Sequence, residues 1–175
     1  MTGAHFHLAF NHVPVVLVPV AVVMLSYAMA SKSADLTKGA LALLVVSTLF
    51  GAGAFLTGEP AEEAVAQMAG VSTEAIEAHE EIAPIAAAAT ALAGLLALVV
   101  LLKGRPGGAP PWTMMATLVV AFAAAVLLAW TAYLGGRINH PELRDPGATV
   151  SLGWGGGLAT ILIAIGIALV SKHGR

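Results

Sequence analysis

Six histidines stand in a chain of 175 residues that contains no cysteine. Five of them fall in short polar stretches: H-F-H-L-A-F-N-H at 5–12 with His5, His7 and His12, E-A-H-E-E at 77–81 with His79, and G-G-R-I-N-H-P-E-L-R at 135–144 with His140. A further stretch, T-G-E-P-A-E-E at 57–63, supplies carboxylates. Imidazole and carboxylate are ligands for zinc, iron, manganese and copper. The missing thiols exclude disulfides, iron–sulfur clusters, thiolate metal sites and covalently attached c-type haem. The chain carries no H-E-x-x-H, serine-nucleophile motif, phosphate loop or dinucleotide fingerprint, so no catalytic residue is assigned from a motif.

The elements that must position these groups are set by hydropathy. The chain is 58% hydrophobic and 10% charged, against about 25% charged in soluble domains. Soluble, disordered and collagenous classes are excluded, and a net charge of −2 gives no electrostatic footprint for nucleic acid. A hydrocarbon core about 30 Å thick takes roughly 20 apolar residues as a helix. Runs at 13–30, 38–57, 82–102, 112–136 and 154–170 meet or approach that length. No strand alternation is present, and lipid demands an internally satisfied backbone. The expected fold is all-α: one domain, an integral membrane four-helix bundle plus a fifth transmembrane helix. The N-terminus lacks the basic region of a secretory signal, so the first helix is expected to stay. Pro14 suits the first turn of that helix. Ser72 is placed to cap the third, with Val71 and Ile76 as a staple.

With five spans, the end that holds the N-terminus carries nine acids (Glu59, Glu62, Glu63, Glu74, Glu77, Glu80, Glu81, Glu142, Asp145) against Arg137 and Arg144. The opposite end carries Lys32, Lys38, Lys103, Arg105, Lys172 and Arg175 against Asp35. Basic loops stay cytoplasmic. The expected location is the bacterial inner (cytoplasmic) membrane, with the N-terminus outside and the C-terminus cytoplasmic. Each His- or Glu-bearing stretch then lies within roughly 5–10 Å of its apolar run. The topology gathers His12, His79 and His140 from three helices to one depth.

Two chemistries fit that expectation. A b-type haem takes two imidazoles, small residues around the macrocycle and cations for its propionates. His79 with His140, or His12 with His79, would serve, with Arg137 and Arg144 as cations. Trp130, Tyr133, Arg137 and His140 follow 3-4-3 spacing, a stripe expected to face the bundle. Alternatively, three imidazoles with a carboxylate would hold zinc, iron or copper. His12, His79 and His140 would be joined by Glu59, Glu63, Glu81 or Glu142, with Glu59 or Glu81 as general base. Glu59, Glu63, Glu80 and Glu142 would instead suit a di-iron or manganese centre. Against haem, an acidic surround is unfavourable to propionates unless the acids point into water. The plain reading of Glu62, Glu63, Glu74 and Glu77 is a solvated rim; His5 and His7 read as surface residues and His173 as solvated. A non-catalytic alternative is an accessory subunit of a larger membrane complex, its acidic rim docking a basic exported electron carrier. Transport is disfavoured, because no charge lies deep in a span.

The motifs N-H-V-P at 11–14, T-G-E-P-A-E-E at 57–63, H-E-E at 79–81 and L-G-G-R-I-N-H-P-E-L-R at 134–144 resemble those of a widespread family of small bacterial polytopic membrane proteins. The resemblance covers about residues 8 to 145 and emphasises His12, Glu59, His79, His140 and Glu142. The family brings no assigned activity. Its layout is similar to that of small polytopic proteins proposed to hold b-type haem. The function expected from the residues themselves is a membrane-bound b-type haem electron-transfer subunit, and the fifth helix, which falls outside the resemblance, is expected to be a docking element.

Overall fold

The structure, a computed structural model, describes residues 3–103 and 111–144. These form α1 (Gly3–Ser31), α2 (Ala34–Leu56), α3 (Gly58–Val65), α4 (Thr73–Lys103) and α5 (Pro111–Asn139), followed by a 3-10 turn at Pro141–Leu143. The described residues contain no strand. Helices α1, α2, α4 and α5 are each long and apolar enough to cross a membrane. Their outward faces, with Val16, Leu49, Leu102 and Phe122 exposed, are the lipid-facing surface of an all-α membrane bundle. The apolar run at 154–170 lies outside the described residues.

Packing pairs α1 with α2, α2 with α4, α4 with α5 and α5 with α1. The four long helices therefore form a closed ring in which α1 lies diagonal to α4 and α2 diagonal to α5. Neighbours run in alternating directions: the start of α1 meets the end of α2 through His7 and Ala54, and the start of α4 meets the end of α5 through Ser72 and Ile138. The α1–α2 turn is two residues long: Lys32 takes a left-handed φ of 53°, and the Ser33 amide donates back to Ala28 at 3.0 Å, which stops α1. Ser33 then caps α2 by accepting from Leu36 N–H at 3.4 Å. Ser72 caps α4 in the same way, accepting from Ala75 N–H at 3.2 Å, and Ile76 is buried below it.

The core is built from small and branched side chains. Val18, Ala21 and Leu25 of α1 meet Ala40, Leu41 and Leu44 of α2, Ala86, Ala93 and Ala97 of α4, and Ala121, Ala124 and Leu128 of α5. Without a hydrophobic drive between helices in lipid, close contact supplies the attraction. The closest approach is at Gly94. A Cβ there would lie 2.0 Å from Thr48 Oγ1 and 3.1 Å from the Leu44 carbonyl oxygen, and Thr48 Oγ1 donates across to the Thr90 carbonyl at 2.9 Å. Gly94→Val is expected to force α2 from α4 and cost about 1–3 kcal/mol. A lowered thermal midpoint in detergent is the readout; an unchanged midpoint would show that the contact is not tight.

One expectation about local structure is corrected. Helix α1 begins eleven residues before Pro14, which with Pro19 sits inside the helix. A proline interrupts one backbone bond, but residues 3–12 are held from outside. Phe10 packs on Gly53 and on Phe50 with ring centres 5.8 Å apart, and Gly3 lies against Pro60. Helix α2 ends before Pro60, at the end of the apolar run 38–57. It stops at Thr57, whose amide and hydroxyl both bond the Gly53 carbonyl, at 3.1 and 2.8 Å. The separate helix α3 buries Ala61, leaves Glu62 half-buried and exposes Glu59 and Glu63.

Candidate functional site

Buried positions on α1 run Pro14, Val18, Ala21, Leu25 and Ala28, alternating steps of three and four. One heptad back from Pro14 is His7. On α4, Ile76, Ala86, Thr90, Ala93, Ala97 and Val100 are buried, and His79 falls on the same stripe. Residues a heptad apart lie within about 20° on a helix. Both imidazoles are thus carried on core-facing stripes of diagonal helices, at the end where the acids gather. Their ring centres are 6.4 Å apart with planes at 81°.

Each ring is tied to one of the remaining two helices. His7 Nδ1 lies 2.9 Å from the Ala54 carbonyl oxygen in the last turn of α2. The last carbonyls of a helix lack intrahelical partners, and Ala54 also receives Thr57 Oγ1 at 3.2 Å. His79 Nδ1 lies 3.0 Å from the Thr131 carbonyl oxygen of α5. A carbonyl only accepts, so Nδ1 is the donor in both rings and the lone pair is on Nε2. This is the tautomer in which metal-bound histidines are oriented by a backbone carbonyl. Two glycines flank the rings. A Cβ at Gly135 would lie 3.3 Å from His79 Nδ1 and Cε1, and one at Gly58 would lie 3.9 Å from His7 Cε1.

The other expected residues are placed differently. His12 is exposed, with Nδ1 donating to the Leu8 carbonyl one turn back on its own helix. His140 is exposed beyond α5, its Nδ1 2.8 Å from Glu142 Oε1. The backbone N–H of Glu142 itself, and then His140, hold the Glu142 carboxyl below the usual carboxylate range. His12, His79 and His140 therefore do not converge. Among the described residues, no group of three or more His, Asp or Glu is arranged to hold a metal ion. What meets His79 is His7. The sequence signal for it was available in the three-four spacing of α1, once that stripe is continued back past Pro14.

The stripe expected to face the bundle is turned outward. Trp130 and Tyr133 are exposed, and Leu134 is the buried neighbour. Arg137 is half-buried. Arg144 Nη2 donates to the Gly70 carbonyl at 2.6 Å and the Ile138 carbonyl at 3.3 Å, clasping the α3–α4 connection to the end of α5. The physical reason is helical phase: Thr131, Gly135 and Ile138 occupy the inward face, and Trp130, Tyr133 and Arg137 lie about a quarter-turn away.

The acids surround this end without entering it. Glu59, Glu63, Glu74, Glu77, Glu80 and Glu81 are exposed, and Glu77 and Glu81 lie on the side of α4 away from half-buried His79. Among the described acids at this end, only Glu62 is half-buried. Its carboxyl shares a hydrogen bond with Glu80, and that bond, partial burial and the neighbouring charge all raise its pKa above the usual carboxylate value.

No protein-family model matches the chain, and no curated protein or solved structure is similar to it.

Proposed function

We propose that the protein is a membrane-bound electron-transfer subunit that would hold a b-type haem at the acidic end of its bundle through His7 and His79. The observation that carries this reading is the spacing of the two rings. His7 and His79 meet with ring centres 6.4 Å apart, each with Nδ1 committed to a backbone carbonyl, so Nε2 is the nitrogen that either would offer a metal. Two nitrogens offered by diagonal helices, with no third protein ligand beside them among the described residues, are the donor set of bis-histidine haem. A zinc or dinuclear carboxylate centre takes three or more protein ligands.

The surroundings suit that group. Gly58 and Gly135 put no side chain against the rings. The Nδ1 bonds fix ring orientation and raise ligand basicity. The acids at this end, Glu62 apart, are exposed among the described residues, which supports the reading against the electrostatic objection raised by their number. When bound, such a haem would carry one electron at a time between a membrane quinol and an exported carrier. The acidic rim would steer a basic carrier toward this end. With the basic end cytoplasmic, as loop charge favours, the site faces the outside of the bacterial inner membrane.

Absorption spectra of detergent-purified protein test the reading. The expected result is a Soret band that sharpens and shifts on reduction, with about one haem per chain. A colourless protein with stoichiometric zinc, iron or copper would replace it with a bare-metal centre. A protein with neither would leave a non-catalytic docking subunit.

A further inference from the structure

A second site lies on the outward face of α5 and does not depend on the haem reading. Trp130 and Tyr133 are exposed and packed together, ring centres 5.5 Å apart. Arg137, in the last turn of α5, is one heptad beyond Trp130 and so lies above it on the same face. Its Nε–H, like that of Arg144, is buried and has no acceptor among the described residues. A cation in the last turn complements the helix dipole, but that role gives the guanidinium no acceptor, and a buried N–H without one is costly. Trp and Tyr collect at the membrane–water boundary, where the abundant acceptor is the lipid phosphate. Guanidinium binds phosphate through paired N–H donors.

We propose that Trp130, Tyr133 and Arg137 form an interfacial phospholipid site, in which the Arg137 guanidinium binds the headgroup phosphate and the two rings sit at the glycerol level. Arg144 is excluded as the primary anchor, because its Nη2 is committed to Gly70 and Ile138.

The test uses the full chain, delipidated in detergent and titrated with phosphatidylglycerol, with bound lipid counted by native mass spectrometry. Wild type is expected to retain one lipid that survives delipidation longest. Arg137→Gln is expected to weaken that binding about tenfold or more, and Arg137→Lys to restore part of it. Trp130→Leu and Tyr133→Leu, which keep an apolar surface, are expected to weaken it without altering the thermal midpoint. Equal retention by Arg137→Gln and wild type overturns the proposal. So does displacement of the lipid by inorganic phosphate at matched concentration, which would reveal a simple anion site. Loss of a haem from Arg137→Gln with lipid retention intact would also overturn it and assign Arg137 to the propionates.

Discussion

Replacing either His7 or His79 with alanine is expected to lower haem content by more than about tenfold, while His12→Ala and His140→Ala retain it. The contrast follows from placement. His7 and His79 are half-buried, on diagonal helices, each held by a carbonyl of a third or fourth helix. His12 and His140 are exposed and satisfied locally, by the Leu8 carbonyl and the Glu142 carboxylate. If both imidazoles hold the haem, removing either would leave it a single protein ligand, and a group held by one ligand exchanges readily. Haem is read by pyridine haemochrome and folding by circular dichroism. Helical content should hold in all variants, because none of these rings belongs to the apolar core cluster. If His12→Ala strips the cofactor and His7→Ala does not, the axial pair is wrong.

Gly135→Val is expected to damage the site nearly as much without touching a ligand. A Cβ at Gly135 already falls 3.3 Å from His79 Nδ1 and Cε1, and valine adds two methyls beyond it. The imidazole must swing away, breaking its 3.0 Å bond to the Thr131 carbonyl. That bond fixes which nitrogen carries the proton. Losing a partner of this kind costs roughly 10–100-fold in metal affinity. Gly58→Ala is the matching control: its Cβ would lie 3.9 Å from His7 Cε1, an ordinary contact, so cofactor content should be little changed. The measurement is haem retained after dilution, with thermal midpoint recorded in parallel. A Gly135→Val protein that keeps full haem would show that His79 is not oriented through α5.

Hydropathy and charge together were enough to state that the chain crosses the membrane as helices, that its acids collect at one end, and that imidazoles reach that end. These follow from the chain alone because lipid imposes span length and internal backbone satisfaction on any sequence. Even the cap at Ser72 was legible. The extent of α1 was not. Pro14 is a sound start signal locally, and it loses because Gly3, His7 and Phe10 gain contacts with Pro60, Ala54 and Gly53, residues more than forty positions away in sequence.

Which imidazoles meet was therefore decided by tertiary structure. Depth in the membrane is a one-dimensional property, and sequence specifies it. Facing is an angular property, which depends on where each helix begins, how it is rotated and which neighbour it stands diagonal to. Continuing α1 through Pro14 places His7 on the buried stripe and puts His5 and His12 on the opposite side, since two residues along a helix is about 200° of turn. The phase of α5 likewise sends Gly135 inward and Trp130 and Tyr133 outward, with Arg137 half-buried between. The sequence alone thus determined that histidines gather at the acidic end of a membrane bundle. Only the ring of four helices, with α1 diagonal to α4, decided that His7 and His79 are the pair that face each other.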